Sequence, residues 1–128
     1  YEGALGRARR AAESGRLKGI IWQQGESNQS NTAGYLAALN AMVWDFRSDL
    51  GLPQLLFVAG EIGTWRDSSQ EINRLIGRIP EQITNSSVVS ADGLAPLNGD
   101  VTDPHFDAAS QLTLGTRYAE EVLRILYD

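Results

Sequence analysis

Apolar residues fall along this chain in two textures, long stretches spaced by three and four and short runs without a gap. The first predicts amphipathic helices; the second predicts strands covered on both faces. Residues Glu2 to Ser14, rich in alanine and arginine and followed by Gly15 as a C-cap, predict a helix. Leu17 to Gln23, with Ile20, Ile21 and Trp22 contiguous, predicts a short strand at the centre of a parallel sheet. Tyr35, Leu36, Leu39, Met42, Val43, Phe46 and Leu50 then mark the clearest helix, capped by Asn31 and stopped by Gly51 and Pro53. A second buried strand is expected from Gln54 to Gly60. Asp67 or Ser68 caps a third helix carrying Ile72, Leu75, Ile76 and Ile79, which Pro80 ends or kinks, with Ile83 on a displaced turn. Ser87 to Ser90 gives a brief strand, Ala91 to Pro104 a long loop, and Asp107 caps a last helix with Leu114, Tyr118, Val122 and Ile125 on one face.

The resulting order, α-β-α-β-α-β-α, is accommodated by a parallel sheet with helices on both faces and right-handed crossovers. Sites in such sheets form beyond the carboxyl ends of the strands, and three polar knots lie there: Gln24-Gly25-Glu26, Glu61 to Trp65, and Asp103-Pro104-His105. A lone histidine near a helix start is ordinarily a surface or capping residue. An aspartate two positions earlier changes that reading, because a carboxylate on one ring nitrogen leaves the other free to take a proton from a hydroxyl. Asp103 and His105 thus form half of a serine-histidine-aspartate relay, with Asp100 the alternative acid and Asp107 the helix cap. Ser27 does not complete it, since the nucleophile elbow requires glycine where Gln29 stands. Gln24 is placed either to donate its amide to a developing oxyanion or to cap the turn from the surface. Gly25 allows close backbone approach or positive φ, and Glu26 serves as a paired anchor beside it. Trp65, after the second strand, is the candidate for substrate contact, whereas Trp22 inside an apolar run belongs to the core.

Length and composition narrow the classes. At 128 residues the chain is read as a single domain, residues 1–128, large enough for a real core. A formal charge of −5, with no basic cluster beyond Arg7, Arg9 and Arg10, excludes nucleic acid and anionic membrane surfaces as partners. The absence of cysteine excludes disulfides, thiolate catalysis and zinc-thiolate sites, and leaves the compartment open. No apolar run is long enough to span a membrane and no leader pattern is present. The chain opens on Tyr1, inside an expected helix, which reads as a piece of a longer protein.

Two blocks carry a family resemblance. Gly19-Ile20-Ile21-Trp22-Gln23-Gln24-Gly25-Glu26-Ser27 resembles the Gly-Val-Ile-Trp-Tyr-Gln-Gly-Glu-Ser block of the sialate O-acetylesterase-like branch, carbohydrate esterase family six, of the SGNH hydrolases. His105-Phe106-Asp107-Ala108-Ala109-Ser110-Gln111, with Leu114-Gly115 and Arg117-Tyr118-Ala119, is similar to that family's ending. The resemblance implies a flavodoxin-like α/β/α sandwich, a serine esterase that removes acetyl groups from sugars such as sialic acid or acetylated xylan, and no metal or other cofactor. It implies His105 as general base, Asp103 as its orienting acid, and Gln24, Gly25 and Glu26 near the oxyanion site. The family's spacing is Asp-x-x-His, whereas Thr102 stands three before His105 here. The family's Gly-Gln-Ser-Asn block, which bears the nucleophile, has no counterpart, so the chain reads as the C-terminal portion of such an esterase, inactive and prone to self-association by itself. The rival reading is a catalytically silent carbohydrate-binding module on the same scaffold, using Trp22, Trp65 and the long loop. A flavin or phosphate binder is disfavoured because no glycine-rich loop follows a strand.

Overall fold

The computed structural model describes residues 1–127 as an α/β fold. Its elements are α1 (Glu2–Ser14), β1 (Gly19–Gln23), α2 (Tyr35–Asp49), β2 (Leu56–Gly60), α3 (Ser69–Ile76), α4 (Ile79–Gln82), β3 (Ser86–Val89) and α5 (Ala108–Tyr127). The strands form a parallel sheet in the order β1-β2-β3, with Ile20 opposite Phe57, Trp22 opposite Ala59 and Val58 opposite Ser87. Alternation along β2 feeds two cores. Phe57 and Ala59 face Tyr35, Leu39 and Val43 of α2 and Ile72 and Ile76 of α3, while Leu56 and Val58 face Leu114 and Tyr118 of α5. All five residues of β2 are buried, as an uninterrupted apolar run between two helical layers requires.

The central strand is therefore β2, and the expectation for Leu17 to Gln23 is corrected: β1 begins at Gly19, lies at the sheet edge and leaves Ile21 65% exposed. Ile20 and Trp22 pack on the α2 side; the opposite side of β1 is not covered at Ile21. The first strand's apolar run cannot report this, since burial of a face depends on the helices packed over it and the edge position on which strands lie beside it.

Two helix starts also differ from expectation. Asn31 does not cap α2, which begins at Tyr35 after Gly34 turns the chain through a left-handed φ of 77° with no side-chain cap. The polar stretch before it instead closes a 3-10 turn, Glu26–Asn28. Pro80 does not end α3; Gly77 does, and Pro80 lies in the first turn of α4, where its missing N–H costs nothing. The third strand spans Ser86–Val89, one residue earlier than expected. Gly15 after α1 is extended, not left-handed.

Arg47, on the apolar face of α2, is only 8% exposed. Its Nε donates to Leu55 O at 2.9 Å and its Nη2 to Thr84 O and Asn85 O at 2.8 and 3.1 Å. It ties the loops entering β2 and β3 to α2, and burial lowers its pKa from the usual guanidinium value. None of the helices among the described residues is long and apolar enough to cross a membrane.

Candidate active site

The chain leaves β3 into a loop that is stitched rather than free. Arg117 of α5 donates to Ser90 O at 2.6 Å and Asp92 O at 3.0 Å, and an antiparallel bridge pairs Pro96 with Phe106. Leu97 N–H donates to His105 O at 2.8 Å and Asp107 N–H to Ala95 O at 3.1 Å. Asp107 then caps α5 by accepting from Ser110 N–H at 2.7 Å, a contact that lowers its pKa. His105 is thus presented from a fixed backbone directly before a capped helix.

Asp103 Oδ1 meets His105 twice, accepting from its backbone N–H at 2.8 Å and lying 2.7 Å from Nδ1. The backbone bond, followed by the ring contact, holds the Asp103 pKa below the ordinary carboxylate value. An ionised carboxylate only accepts, so Nδ1 is the donor in this contact, and in a neutral ring the lone pair is then at Nε2. The imidazole is 76% exposed and Asp103 29%, so the pair opens to solvent at the histidine end. Asp100 is engaged elsewhere, with Thr102 N and Oγ1 at 2.8 and 2.7 Å. Of the two acids that the spacing left open, Asp103 is the one on the ring.

Trp65 lies beneath this loop: its Nε1 donates to Asp103 O at 2.9 Å and its ring meets Phe106 edge-on at 5.2 Å. A Cβ on Gly63 would come within 2.4 Å of the indole, so glycine is what lets Trp65 fold back there.

At the end of β1, Gln24 Nε2 donates to Asn28 Oδ1 at 2.7 Å, leaving its second amide hydrogen available, and Gln24 O accepts from the Tyr35 hydroxyl at 3.2 Å. Gly25 has an extended backbone, so close approach is what demands glycine: a Cβ would sit 3.0 Å from Ile62 Cγ2 and 3.3 Å from Ile72 Cγ1. Glu26 folds back, its Oε2 accepting from Gly25 N–H at 3.1 Å. A cavity of about 280 Å³ opens beside Gln24, lined by Trp22, Asn28, Asn31, Tyr35 and Met42, with no charged side chain in its wall. The Trp22 Nε1 is buried without a well-formed hydrogen bond, although it lies near enough to the Tyr35 hydroxyl to offset part of the rise that burial imposes on that phenol's pKa.

Among the described residues no hydrogen bond joins Gln24 directly to His105. The strand ends are instead joined to one another: Gln23 Nε2 donates to Glu61 O at 2.9 Å, and the Glu61 carboxylate accepts from Ser90 Oγ and Ala91 N–H at 2.8 and 2.9 Å, which ties the ends of β1, β2 and β3 together. Tyr118 reaches the same place from α5, 2.6 Å from Trp22 O and 2.8 Å from Gln23 Oε1. Sequence reasoning placed Tyr118 on a core face and within the block that carries the resemblance, and gave neither Tyr118 nor Gln23 a role. The signal in Tyr118 was a polar end on an otherwise buried side chain, which the spacing of apolar residues does not register.

Residues 1–124 match the family described as carbohydrate esterase, sialic acid-specific acetylesterase. The chain belongs to that family. An X-ray structure of a protein from Arabidopsis thaliana superposes with a TM-score of 0.84 over 97% of this chain at 24% identity. At that identity the likeness shows the fold, and this chain spans about half, 52%, of that protein. The carbohydrate-esterase scaffold and its flavodoxin-like layering, here as a three-stranded portion, are thereby fixed.

Proposed function

We propose that these residues are the base-bearing part of a serine carbohydrate O-acetylesterase, whose nucleophilic serine lies on a segment outside this sequence. The observation that carries the reading is the double engagement of Asp103 Oδ1 by His105, which fixes both tautomer and ring direction. In the reaction, Nε2 of His105 takes the serine proton as the hydroxyl attacks the acetyl carbonyl. The resulting imidazolium is stabilised by Asp103. The free amide hydrogen of Gln24 donates to the oxyanion as the tetrahedral intermediate forms. Collapse returns the proton from His105 to the departing sugar hydroxyl and leaves an acetyl-serine, which water, deprotonated by the same Nε2, hydrolyses to acetate. Gly25 and Glu26 hold the turn that presents Gln24, and the half-buried Trp65 supports the Asp103 backbone. The uncharged wall of the cavity beside Gln24 suits a neutral acetylated sugar group.

The test is hydrolysis of p-nitrophenyl acetate, acetylated xylan and O-acetylated sialic acid by the intact protein that carries these residues, beside His105→Ala. Acetate release that falls at least 10²-fold in the variant is expected. Undiminished release would remove His105 from the mechanism. Sugar binding without turnover in the unaltered protein would replace the esterase by a silent binding module.

A further inference from the structure

Three consecutive residues at the end of β1 are each held by a phenol. Tyr118, from the α5 side, lies on Trp22 O and the Gln23 side chain, and Tyr35, from the α2 side, donates to Gln24 O. The two rings come from opposite layers of the sandwich. The amide of Gln23 is oriented by its Nε2 bond to Glu61 O, so the oxygen is what faces Tyr118. One hydroxyl proton therefore serves two acceptors, and that phenol must stay protonated. Burial, with Tyr35 contributing next, pushes its pKa upward accordingly.

Space has been made for this contact. A Cβ on Gly60 would lie 2.3 Å from both Gln23 Oε1 and Tyr118 Oη, so any side chain at the end of β2 would evict one of them. Side chains on a helix lean toward its N-terminus, which aims Tyr118 back from about 15 Å along α5 toward the end that opens beside His105.

We propose that Tyr118 is a positioning residue that, with Tyr35 opposing it, fixes the place of Gln24 relative to the His105 end of α5. The inference rests on the reading of Gln24 as oxyanion donor. Tyr118 touches no reacting atom in that account; it joins the strand that leads into Gln24 to the helix that begins three residues after His105, behind its Asp107 cap. Displacement of a catalytic group by about 1 Å costs on the order of 10²-fold in rate. Loss of the Tyr118 hydroxyl is accordingly read in turnover and not in substrate affinity.

The experiment uses Tyr118→Phe, which keeps the ring in the core, with Tyr35→Phe and the double variant, all in the intact protein. Amide hydrogen exchange followed by NMR is the first readout. We expect Gln24 and Gly25 backbone amides to exchange about tenfold faster in Tyr118→Phe, with the amides of α3 unchanged. Equal acceleration across the whole sheet, or none at Gln24 and Gly25, would overturn the proposal. Deacetylation is the second readout, with kcat expected to fall about 10- to 100-fold at a KM within about twofold of the original. A rise in KM with kcat retained would also overturn it. Were the unaltered protein to lack esterase activity, the reading of Gln24 would fall on that result, while the exchange data would still decide whether Tyr118 positions it.

Discussion

His105 is held by one oxygen atom. Asp103 Oδ1 accepts from the backbone N–H and faces Nδ1 at once, so replacing the carboxylate removes both the tautomer control and a turn contact. Asp103→Asn keeps an oxygen for the backbone N–H, yet its amide nitrogen can present a donor to Nδ1. We expect kcat/KM for deacetylation to fall by about 10²- to 10⁴-fold while circular dichroism stays unchanged. Retained activity would show that the carboxylate does not orient the base. Neighbouring glycines are steric conditions of the same site. Gly63→Ala drives a methyl group to 2.4 Å from the Trp65 ring that supports Asp103. A loss of about 1–3 kcal/mol is expected, measurable as a lower urea midpoint. The Asp103-His105 pair was legible as a candidate because an aspartate two residues before a histidine is within reach of its ring. Which of Asp100 and Asp103 would reach the ring depended on Thr102 claiming Asp100, a competition that spacing does not encode.

At the scale of elements, periodicity located the helices well and their ends poorly. The apolar spacing of α2 and α5 survives intact because each buries one stripe. The start of α2 was misplaced because Asn31 has the chemistry of a cap, whereas Gly34 supplies the turn that opens the helix. Pro80 was read as the end or kink of α3, whereas Gly77 ends that helix and Pro80 lies in the first turn of the separate α4, the position a missing N–H favours. The Asp107 cap was read correctly, and Asp107→Ala should destabilise the protein by about 1 kcal/mol, seen as a fall in Tm of a few degrees. Further along α5, Arg124 followed by Ser87 holds the Glu121 carboxyl at about 2. A depressed folded-state value contributes stability that is complete above the ordinary carboxylate range and is lost as pH falls toward 2. The acid limb of a stability-versus-pH curve should therefore be shallower in Glu121→Gln than in the unaltered protein between about pH 4.5 and 2. Parallel curves over that window would show that the contact does not stabilise the fold.

Across the whole molecule β2 is enclosed between two edge strands that differ in cover: β3 is half-buried along its length, whereas β1 leaves Ile21 exposed. The apolar run Ile20-Ile21-Trp22 on an unpaired edge is a template for pairing with another strand. These 128 residues by themselves should therefore self-associate, with Ile21→Lys reducing the weight-average mass in sedimentation equilibrium. A monomer at every concentration tested would contradict that expectation. Order of elements, parallel pairing and the gathering of polar knots at the carboxyl ends were all implied by the sequence. The edge position of β1 was not, because it depends on what lies beside the strand and not on the strand. The account as a whole turns on His105 acting as a base set by Asp103. A double-mutant cycle on kcat/KM for acetyl ester hydrolysis, with Asp103→Asn, His105→Ala and both together in the intact protein, tests it most directly. We expect each single variant to lose at least about 10²-fold and the double variant to lose no more than His105→Ala alone, because the carboxylate acts through the ring. Losses that multiply in the double variant, or none in Asp103→Asn, would contradict the account.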